Sequence, residues 1–386
     1  MTTIYLIRHA EAEGNLHRRI QGQYDGFITG RGRRQIAALA ERFRDIRVDS
    51  LWSSDLYRTR ATAGAILKYH PGLTLHTTPR LREIGLGQWE DELWGNVERD
   101  TPELLEAFNH APERWHVEGA ESFRELQQRI LSIITDIALL NEGKTVVIVC
   151  HGTAIRTLHC AVLGVPLSEI GTVAHGDNTA VSLLRYEGGR FRAEYINDVS
   201  HLEAEGLSTL ARQSWHRNAG SRDRGNLSSR PAEFPQDEAF YTHCYTSCWT
   251  AAHGNLTGYM PEVYIRQARR HLQEEAQSIQ VFYSETDAVG LLELDPNRHE
   301  LQGAGWISLC FLEEAFRGKG LGIQLLGSAI SFYRHRGRRL LRLHVAVTNE
   351  AAIGFYRYCG FREAGRTAGV ASELLLMEYR IYPADY

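Results

Sequence analysis

The sequence predicts an α/β protein of two domains. Three observations carry that reading. The chain has 386 residues, enough for two full cores. Short apolar runs alternate with amphipathic segments in both halves, as strands alternating with helices do. A polar, glycine-bearing stretch, Ser221-Arg-Asp-Arg-Gly225, parts the halves and reads as a flexible linker. The implied boundaries are 1–205 for the first domain, 206–224 for the linker and 225–386 for the second domain. Within the linker, Leu207 to Trp215 has the pattern of a short helix.

Charge and composition narrow the function. Lys plus Arg number 43 against 47 Asp plus Glu, a formal charge of −4, which argues against a nucleic-acid footprint. No apolar run approaches the ~18 residues of a membrane span. The chain enters a strand at once, so no signal peptide is expected. Six cysteines stand without framework spacing, and Cys150, Cys160, Cys310 and Cys359 lie in apolar or motif contexts. Reduced thiols and a cytoplasmic location are therefore expected. Asn226-Leu-Ser and Asn255-Leu-Thr match a glycosylation pattern that has no meaning without secretion.

The first element is an unbroken apolar run, Ile4 to Ile7, that ends abruptly at Arg8-His9. So short a run reads as a strand of a parallel sheet buried on both faces, with its carboxyl end at the ligand crevice. After a polar segment to Asp25, a helix follows Thr29 with Ile36, Leu39, Ala40 and Phe43 on one face. Ser50 to Ser54 is a short strand. Asp55 is placed to cap the next helix, which carries Arg58 in its first turn and buries Ala63, Ile66 and Leu67. Leu73 to His76 reads as a strand, and Leu81 to Glu90 as a loop holding Glu83 between apolar neighbours. Ser122 and Glu125 form a capping box before a long helix with Leu126, Ile130, Ile133 and Ile137 inward, stopped at Gly143. Thr145 to Cys150 repeats the first strand and runs into His151-Gly152, where a helix begins. A hairpin, Ala180 to Tyr186 and Arg190 to Ile196 across Gly188-Gly189, closes a mixed sheet covered on both sides. If the two histidine-ended strands are neighbours, His9 and His151 share one crevice, with Arg8 and Arg58 close by.

Leu-Ile-Arg8-His9-Ala-Glu-x-x-x-Asn15, Ser-Asp55-Leu-x-Arg58-Thr, Leu-Arg-Glu83-Ile-x-x-Gly-x-Trp-Glu, Cys-His151-Gly and Asn197-Asp198-x-Ser-His-Leu resemble, in order, the histidine phosphatase (phosphoglycerate-mutase-like) superfamily. Ala10 stands where most members have glycine, a change expected to be tolerated. The resemblance implies a mixed α/β sandwich and a phosphohistidine formed on His9. It makes Glu83 the general acid, with Arg8, Arg58 and His151 around the phosphoryl group. Asn15, Gln21, Gly22 and Gly152 are implied on the substrate side. The chemistry agrees: a phosphoryl group needs fixed cations and donors, and two guanidinium forks supply them without a metal. Glu83 must deliver a proton, so a partly apolar pocket is expected around it.

In the second half, Leu227-Ser-Ser-Arg-Pro reads as a strand. Helices are predicted from Asp237 to about His253 and from Glu262 to Gln277. Strands follow near Ile279 to Tyr283, Ala288 to Leu294 and Gly305 to Leu312. Arg317-Gly-Lys-Gly-Leu-Gly322 then opens a helix with Leu325, Leu326 and Ile330. A glycine-rich turn at a helix N-terminus presents backbone N–H groups and the positive end of the dipole, a fit for a pyrophosphate. Leu340 to Val345 is a strand, Asn349 to Phe361 a helix and turn, and Leu374 to Tyr379 a last strand.

Arg317-Gly-Lys-Gly-Leu-Gly322 with Asn349…Ala-Ile-x-Phe-Tyr356-x-x-x-Gly-Phe361 resembles the GNAT acyltransferases. That resemblance implies acetyl-CoA as the cofactor, bound along Leu312, Arg317, Gly318, Lys319, Gly320, Leu321 and Gly322. Asn349 is implied to bond the pantetheine arm or the adjoining backbone, and Tyr356 to protonate the leaving thiolate. A tyrosine packed in the core is the plain alternative for Tyr356. Glu314 stands where many members have proline. Glu293, Glu313, His344 and an ordered water are all open as the general base.

Three further signals carry less. Gly143-Lys144-Thr145 imitates a phosphate loop but lacks the first glycine and lies between helix and strand, the reverse of the required order. His243, Cys244 and Cys248 lack a fourth zinc ligand. The basic run from Arg334 to Arg342 suits a helix C-terminus, with reach to a coenzyme A 3′-phosphate as the alternative. The expected protein is a bifunctional enzyme, a metal-independent phosphatase joined to an acetyl-CoA-dependent N-acetyltransferase. Its expected partners are a small phosphomonoester and a small amine, neither nucleic acid nor membrane. Two alternatives stand beside it: a mutase in the first half, or a non-catalytic acyl-CoA sensor in the second.

Overall fold

A computed structural model describes residues 1–209, 225–369 and 372–383. These fall into two compact units, Met1–Glu92 with 97–209, and Leu93–Asn96 with 225–383.

The first unit begins with β1 (Thr2–Arg8), α1 (Glu13–His17), α2 (Gly30–Phe43), β2 (Ser50–Ser53), α3 (Tyr57–Leu67) and β3 (Leu75–Thr77). Two short helices follow, α4 (Trp94–Asp100) and α5 (Pro102–His110). It is completed by α6 (Phe123–Leu140), β4 (Thr145–Cys150), α7 (Gly152–Leu163), β5 (Val181–Glu187), β6 (Arg190–Asp198) and α8 (Ser200–Glu203). Its sheet has the order β3-β2-β4-β1-β5-β6, with β1 to β4 parallel and β5 and β6 antiparallel. β1 and β4 are direct neighbours, and Arg8 pairs with Cys150. The residues that follow, His9 and His151, therefore leave the sheet at the same level. Ile4, Ile7, Val147 and Val149 are fully buried, as strands covered on both faces require.

Two local expectations change. Asp55 does not cap α3, because its carboxylate is held in a two-point ion pair with Arg82 at 2.7 and 2.6 Å. The first N–H of the helix, from Tyr57, donates instead to Asp25 Oδ1 at 2.7 Å. The sequence pattern predicts nothing between 91 and 121, where α4 and α5 form. There Phe108 and Trp115 join Trp89 and Phe123 in an edge-to-face aromatic cluster. Leu207 to Thr209, assigned to the linker from sequence, is tied to this unit: Gln35 Nε2 donates to the Leu207 carbonyl at 3.0 Å. The rest of the helix expected up to Trp215 lies outside the described residues.

The second unit contains β7 (Ser228–Pro231), α9 (Glu238–His253), α10 (Pro261–Glu274), β8 (Ile279–Ser284), β9 (Asp287–Asp295) and β10 (Ala304–Leu312). It ends with α11 (Gly322–His335), β11 (Leu340–Ala346), α12 (Glu350–Tyr358), β12 (Arg362–Ala368) and β13 (Glu373–Arg380). The seven strands are ordered β12-β13-β11-β10-β9-β8-β7, and only β10 and β11 run parallel. That parallel pair is joined only from Ala304–Leu340 to Ile307–Leu343. Beyond it both strands continue without pairing each other, so a wedge opens in the middle of the sheet. β12 is not foreseen, because Arg-Glu-Ala-Gly-Arg-Thr-Ala has no apolar alternation; it forms by pairing with β13 at an exposed edge.

Candidate active sites

At the carboxyl ends of β1 and β4 the two imidazoles face each other, ring centroids 5.3 Å apart. His9 Nδ1 lies 2.8 Å from the Ala10 carbonyl, which can only accept. That contact assigns the proton to Nδ1 and leaves the Nε2 lone pair available as a nucleophile. His151 is fully buried, and neither ring nitrogen has a hydrogen-bond partner among the described residues. Burial, then the charges of Arg58 and Arg8, holds His9 well below its ordinary range. Burial, then the Arg58 and His9 charges, does the same to His151. Both rings are neutral at physiological pH.

Arg58 is the central cation. Its side chain is 0% exposed and its Nη atoms donate to the carbonyls of Tyr24 (3.0 Å) and Gly22 (2.6 Å). Nε has no partner, and among the described residues no carboxylate stands within ion-pair distance of it. A buried guanidinium so placed is strongly stabilised by an incoming anion. Arg8 Nη1 donates to the Gly176 carbonyl at 2.6 Å. A Cβ on Gly152 would stand 3.2 Å from Arg8 Nε, so the glycine lets this guanidinium lie against the start of α7.

Glu83 is 7% exposed, but its surroundings are not the apolar pocket expected from sequence. Oε1 accepts from the N–H groups of Ile84 (3.0 Å) and Ala154 (2.9 Å), and Oε2 from that of Thr153 (2.9 Å). The carboxyl group is thus fixed at the N-terminus of α7. Asn15 Oδ1 accepts from the N–H of Ala12 (3.1 Å) and from Asn178 Nδ2 (3.4 Å), leaving its own Nδ2 as a donor. Gln21 runs between Gly14 and Gly26, and neither of its buried amide atoms has a partner among the described residues. Gly22 has a supporting place, its carbonyl on Arg58 and its N–H on Glu90 at 3.3 Å.

Several supporting residues were not singled out from sequence. Glu90 accepts from the N–H groups of Gly22, Gln23, Tyr24 and Leu86, and so shapes the loop that holds Arg58. Thr62 Oγ1 accepts from the Ala10 N–H at 2.9 Å and donates to the Arg58 carbonyl at 2.7 Å. Asn178 Nδ2 donates to the His9 carbonyl at 3.0 Å. Glu90 closes one of the motifs quoted above, which was the available signal; Thr62 and Asn178 reach the site only through the fold.

In the second unit the wedge between β10 and β11 meets the glycine turn. Gly318 and Gly320 have φ of +70° and +75°, the left-handed region that favours glycine. Arg317 Nε donates to the Leu312 carbonyl at 2.7 Å, and α11 starts at Gly322; within its first turn the Gln324 N–H donates to the Leu321 carbonyl at 3.0 Å, and the turn ahead of it carries the positive end of the helix dipole. Lys319 stands in the same turn. Asn349 Oδ1 accepts from the Ala352 N–H at 3.1 Å, capping α12; of its two implied roles the adjoining backbone is the one seen. Tyr356 is 8% exposed and belongs to the core cluster. Burial, then the neighbouring thiols of Cys310, Cys248 and Cys359, pushes its phenol well above the usual range. The phenol is therefore neutral. Lys319 and the left-handed turn suit a pyrophosphate-bearing acyl carrier.

The open question of a base narrows. Glu293 is 0% exposed and fully engaged, accepting from Tyr241 Oη (3.0 Å), Tyr245 Oη and His271 Nδ1 (2.9 Å). It is a core group. His344 packs edge-on against Trp306. Glu313 directly follows β10 at the wedge and lies 2.9 Å from His243 Nε2. That pairing also accounts for His243 without zinc, and among the described residues no group of His, Cys, Asp or Glu could hold a metal. Arg336, Arg338 and Arg342 of the basic run pair with Glu275, Glu300 and Glu378.

Comparison with known proteins assigns a family to each half of the chain. Residues 4–199 match the histidine phosphatase superfamily (branch 1), and residues 239–361 match the acetyltransferase (GNAT) family. The chain is 31% identical over 217 residues to the "Probable phosphoglycerate mutase GpmB" of Enterobacter sp. (strain 638), covering 55% of this chain and 100% of that protein. The GpmB of Salmonella choleraesuis (strain SC-B67) is 30% identical over the same length and shares. Among solved structures, Bacillus stearothermophilus YhfR superposes with a TM-score of 0.51 at 32% identity, covering 53% of this chain and 100% of that one. No helix among the described residues is long and apolar enough to cross a membrane.

Proposed function

We propose that this chain, which belongs to the histidine phosphatase superfamily and continues into a GNAT acetyltransferase domain, hydrolyses a phosphomonoester at its first site and acetylates an amine at its second. The observation that carries the first activity is the buried Arg58 guanidinium, without a carboxylate partner among the described residues, next to a histidine whose Nε2 is unprotonated. The phosphoryl group sits among Arg8, Arg58, His151 and Asn15. His9 Nε2 attacks phosphorus, the P–O bond breaks, and its electron pair leaves with the alkoxide, which takes a proton from Glu83. Water then attacks the phosphohistidine. The P–N bond breaks, the water's proton goes to the Glu83 carboxylate, and phosphate departs. The test is acid-labile labelling of the protein by a 32P-phosphomonoester, expected in the wild type and absent in His9→Ala.

At the second site, acetyl-CoA would supply an acetyl group activated as a thioester. The turn from Arg317 to Gly322 and the start of α11 would hold its pyrophosphate, and Leu312, at the end of β10, would line the wedge that takes its arm. There an amine nitrogen would bond to the acetyl carbon, the C–S bond would break, and Tyr356 would be the residue placed to give its proton to the thiolate. The Glu313–His243 pair takes the proton that the attacking amine loses. Acetylation of an amine panel with radiolabelled acetyl-CoA tests this, and no transfer to any amine despite tight cofactor binding favours the sensor reading instead.

A second reading of the first site, transfer of the phosphoryl group back to an alcohol, is favoured by the relatives named probable phosphoglycerate mutase. Release of inorganic phosphate without an isomerised product excludes it. We also propose that both sites serve one metabolite bearing a phosphate ester and an amine, since fusion raises the effective concentration of a shared intermediate. Best substrates of the two halves that share no scaffold would overturn that.

A further inference from the structure

The motif Asn197-Asp198-x-Ser200-His201 reaches the reactive residues of the first unit through one buried turn. Asp177 to Ala180 is closed by the Ala180 N–H on the Asp177 carbonyl at 3.0 Å, and all four residues are buried. The Thr179 N–H donates to the carbonyls of Arg8 (3.1 Å) and His9 (3.3 Å), and the Ala180 carbonyl accepts from the Arg8 N–H at 3.1 Å. This turn is thus the backbone support of the two residues that meet the phosphoryl group. Thr179 takes its place there at φ +60°, in the left-handed region. Glycine adopts that conformation freely, whereas a β-branched residue is strained in it. Strain of this kind persists only where the surroundings hold it.

The holder is His201. Arg42 Nη1 can only donate, and it lies 3.2 Å from His201 Nδ1, so that nitrogen accepts and the ring proton sits on Nε2. Nε2 stands 3.1 Å from the Thr179 hydroxyl oxygen and donates to it. Burial, then the Arg42 charge, lowers the His201 imidazole to about 4, so the ring is neutral as this relay requires. Asp198 fixes the far end: it pairs with Arg42 and accepts from the Ser200 N–H (3.3 Å) and hydroxyl (2.8 Å), at the start of the helix that carries His201. Asn197 holds the approach to the turn. Its Nδ2 donates to the Ala174 carbonyl at 3.0 Å, and its Oδ1 occupies the space that a side chain on Gly176 would need. The Gly176 carbonyl is the one that takes Arg8 Nη1.

We infer that Thr179 and His201 are positioning residues of the phosphatase: the His201 ring holds the Thr179 hydroxyl, and the strained turn so fixed sets the backbone of Arg8 and His9, and with it the line along which His9 Nε2 attacks phosphorus. The inference rests on the phosphatase reading above. The full-length protein is mixed rapidly with 4-nitrophenyl phosphate, and release of 4-nitrophenol in the first turnover reads that attack. Thr179→Val removes the hydroxyl and keeps the shape. It is expected to slow the first turnover at least ~10-fold, with the half-saturating substrate concentration changed less than about 3-fold and the melting temperature close to that of the wild type. Thr179→Ser, which keeps the hydroxyl, is expected to recover most of the rate. His201→Ala is expected to match Thr179→Val, and the double variant to be no slower than either single one, because both changes cut the same contact. A first turnover at the wild-type rate in Thr179→Val, equal slowing by Thr179→Ser, or losses that multiply in the double variant would each overturn the inference while leaving the phosphatase intact. If His201→Ala does not fold, the comparison of Thr179→Val with Thr179→Ser decides alone. No release of 4-nitrophenol by the wild type would instead remove the phosphatase reading and this inference with it.

Discussion

His9 and His151 stand ring to ring at 5.3 Å, at the ends of adjacent parallel strands, and neither imidazole touches a carboxylate among the described residues. The usual acid partner of a catalytic histidine is replaced by a carbonyl, the Ala10 oxygen on His9 Nδ1. Such a ring is a nucleophile rather than a proton shuttle. His9→Ala is expected to lose phosphate release by at least ~10³-fold, as removal of a covalent nucleophile does, and EDTA is expected to change nothing. Phosphate release assayed on purified variant and wild type checks both.

Glu83 is held by the backbone N–H groups of Ile84, Thr153 and Ala154, the last two in the first turn of α7. Glu83→Gln keeps the shape and removes the proton. Hydrolysis of an alkyl phosphate should slow by about 10² or more, while 4-nitrophenyl phosphate, whose leaving group needs no proton, should slow far less. A uniform loss on both substrates would mean that Glu83 only shapes the site.

The two lowered imidazoles make the first unit acid-sensitive. Both are neutral in the folded protein, whereas their unfolded counterparts take up protons near pH 6.5. Stability is therefore full above that value and is lost as pH falls below it. Burial lowers His159 to about 4, adding to the same trend. Inorganic phosphate, bound beside Arg58, should raise the melting temperature in the wild type and have no effect in Arg58→Met. Differential scanning calorimetry between pH 5 and 8, with and without phosphate, reads both effects.

The second unit should show the opposite limb. Burial opposes the charge on His271, but the carboxylates of Asp295 and Glu293 outweigh it and raise the imidazole to about 9. A raised histidine contributes fully below pH 6.5, and its contribution is lost as pH climbs through about 9. His271→Ala leaves Glu293 buried without its counter-charge and is expected to cost about 3–5 kcal/mol. Denaturant melts at pH 7 and pH 10 should show a deficit that shrinks at the higher pH.

Gly320 has φ of +75° with open space where a side chain would go. Gly320→Val therefore strains the turn without crowding the protein itself and blocks close approach of a pyrophosphate. Acetyl-CoA affinity by calorimetry should fall at least ~10-fold, with phosphatase activity unchanged. Tyr356→Phe should bind the cofactor normally and transfer acetyl slowly.

Local pattern alone determined that there are two α/β domains, that His9 and His151 each end a short apolar strand, and that the turn from Arg317 to Gly322 opens a helix. Those features depend on residues close in the chain: an apolar run stopped by a polar pair, glycines before an amphipathic stretch. The resemblances they carried named the reactive residues for the same reason. What needed the tertiary structure was every choice made by distant partners. Asp55 is the cap that the sequence offers for α3, and only the fold shows that Arg82 takes its carboxylate and that the distant Asp25 accepts the Tyr57 N–H instead. Glu293 and Glu313 look alike in sequence, yet one is sealed beneath two tyrosines and a histidine while the other stands at the wedge. Glu83, expected among apolar side chains, meets backbone N–H groups because α7 starts there. Arg129 pairs with nearby Glu121 but also donates to the carbonyls of Arg80 and Arg82, almost fifty residues earlier, which only the fold brings to it. Burial and charge pairing are properties of the folded neighbourhood, and no local period encodes them.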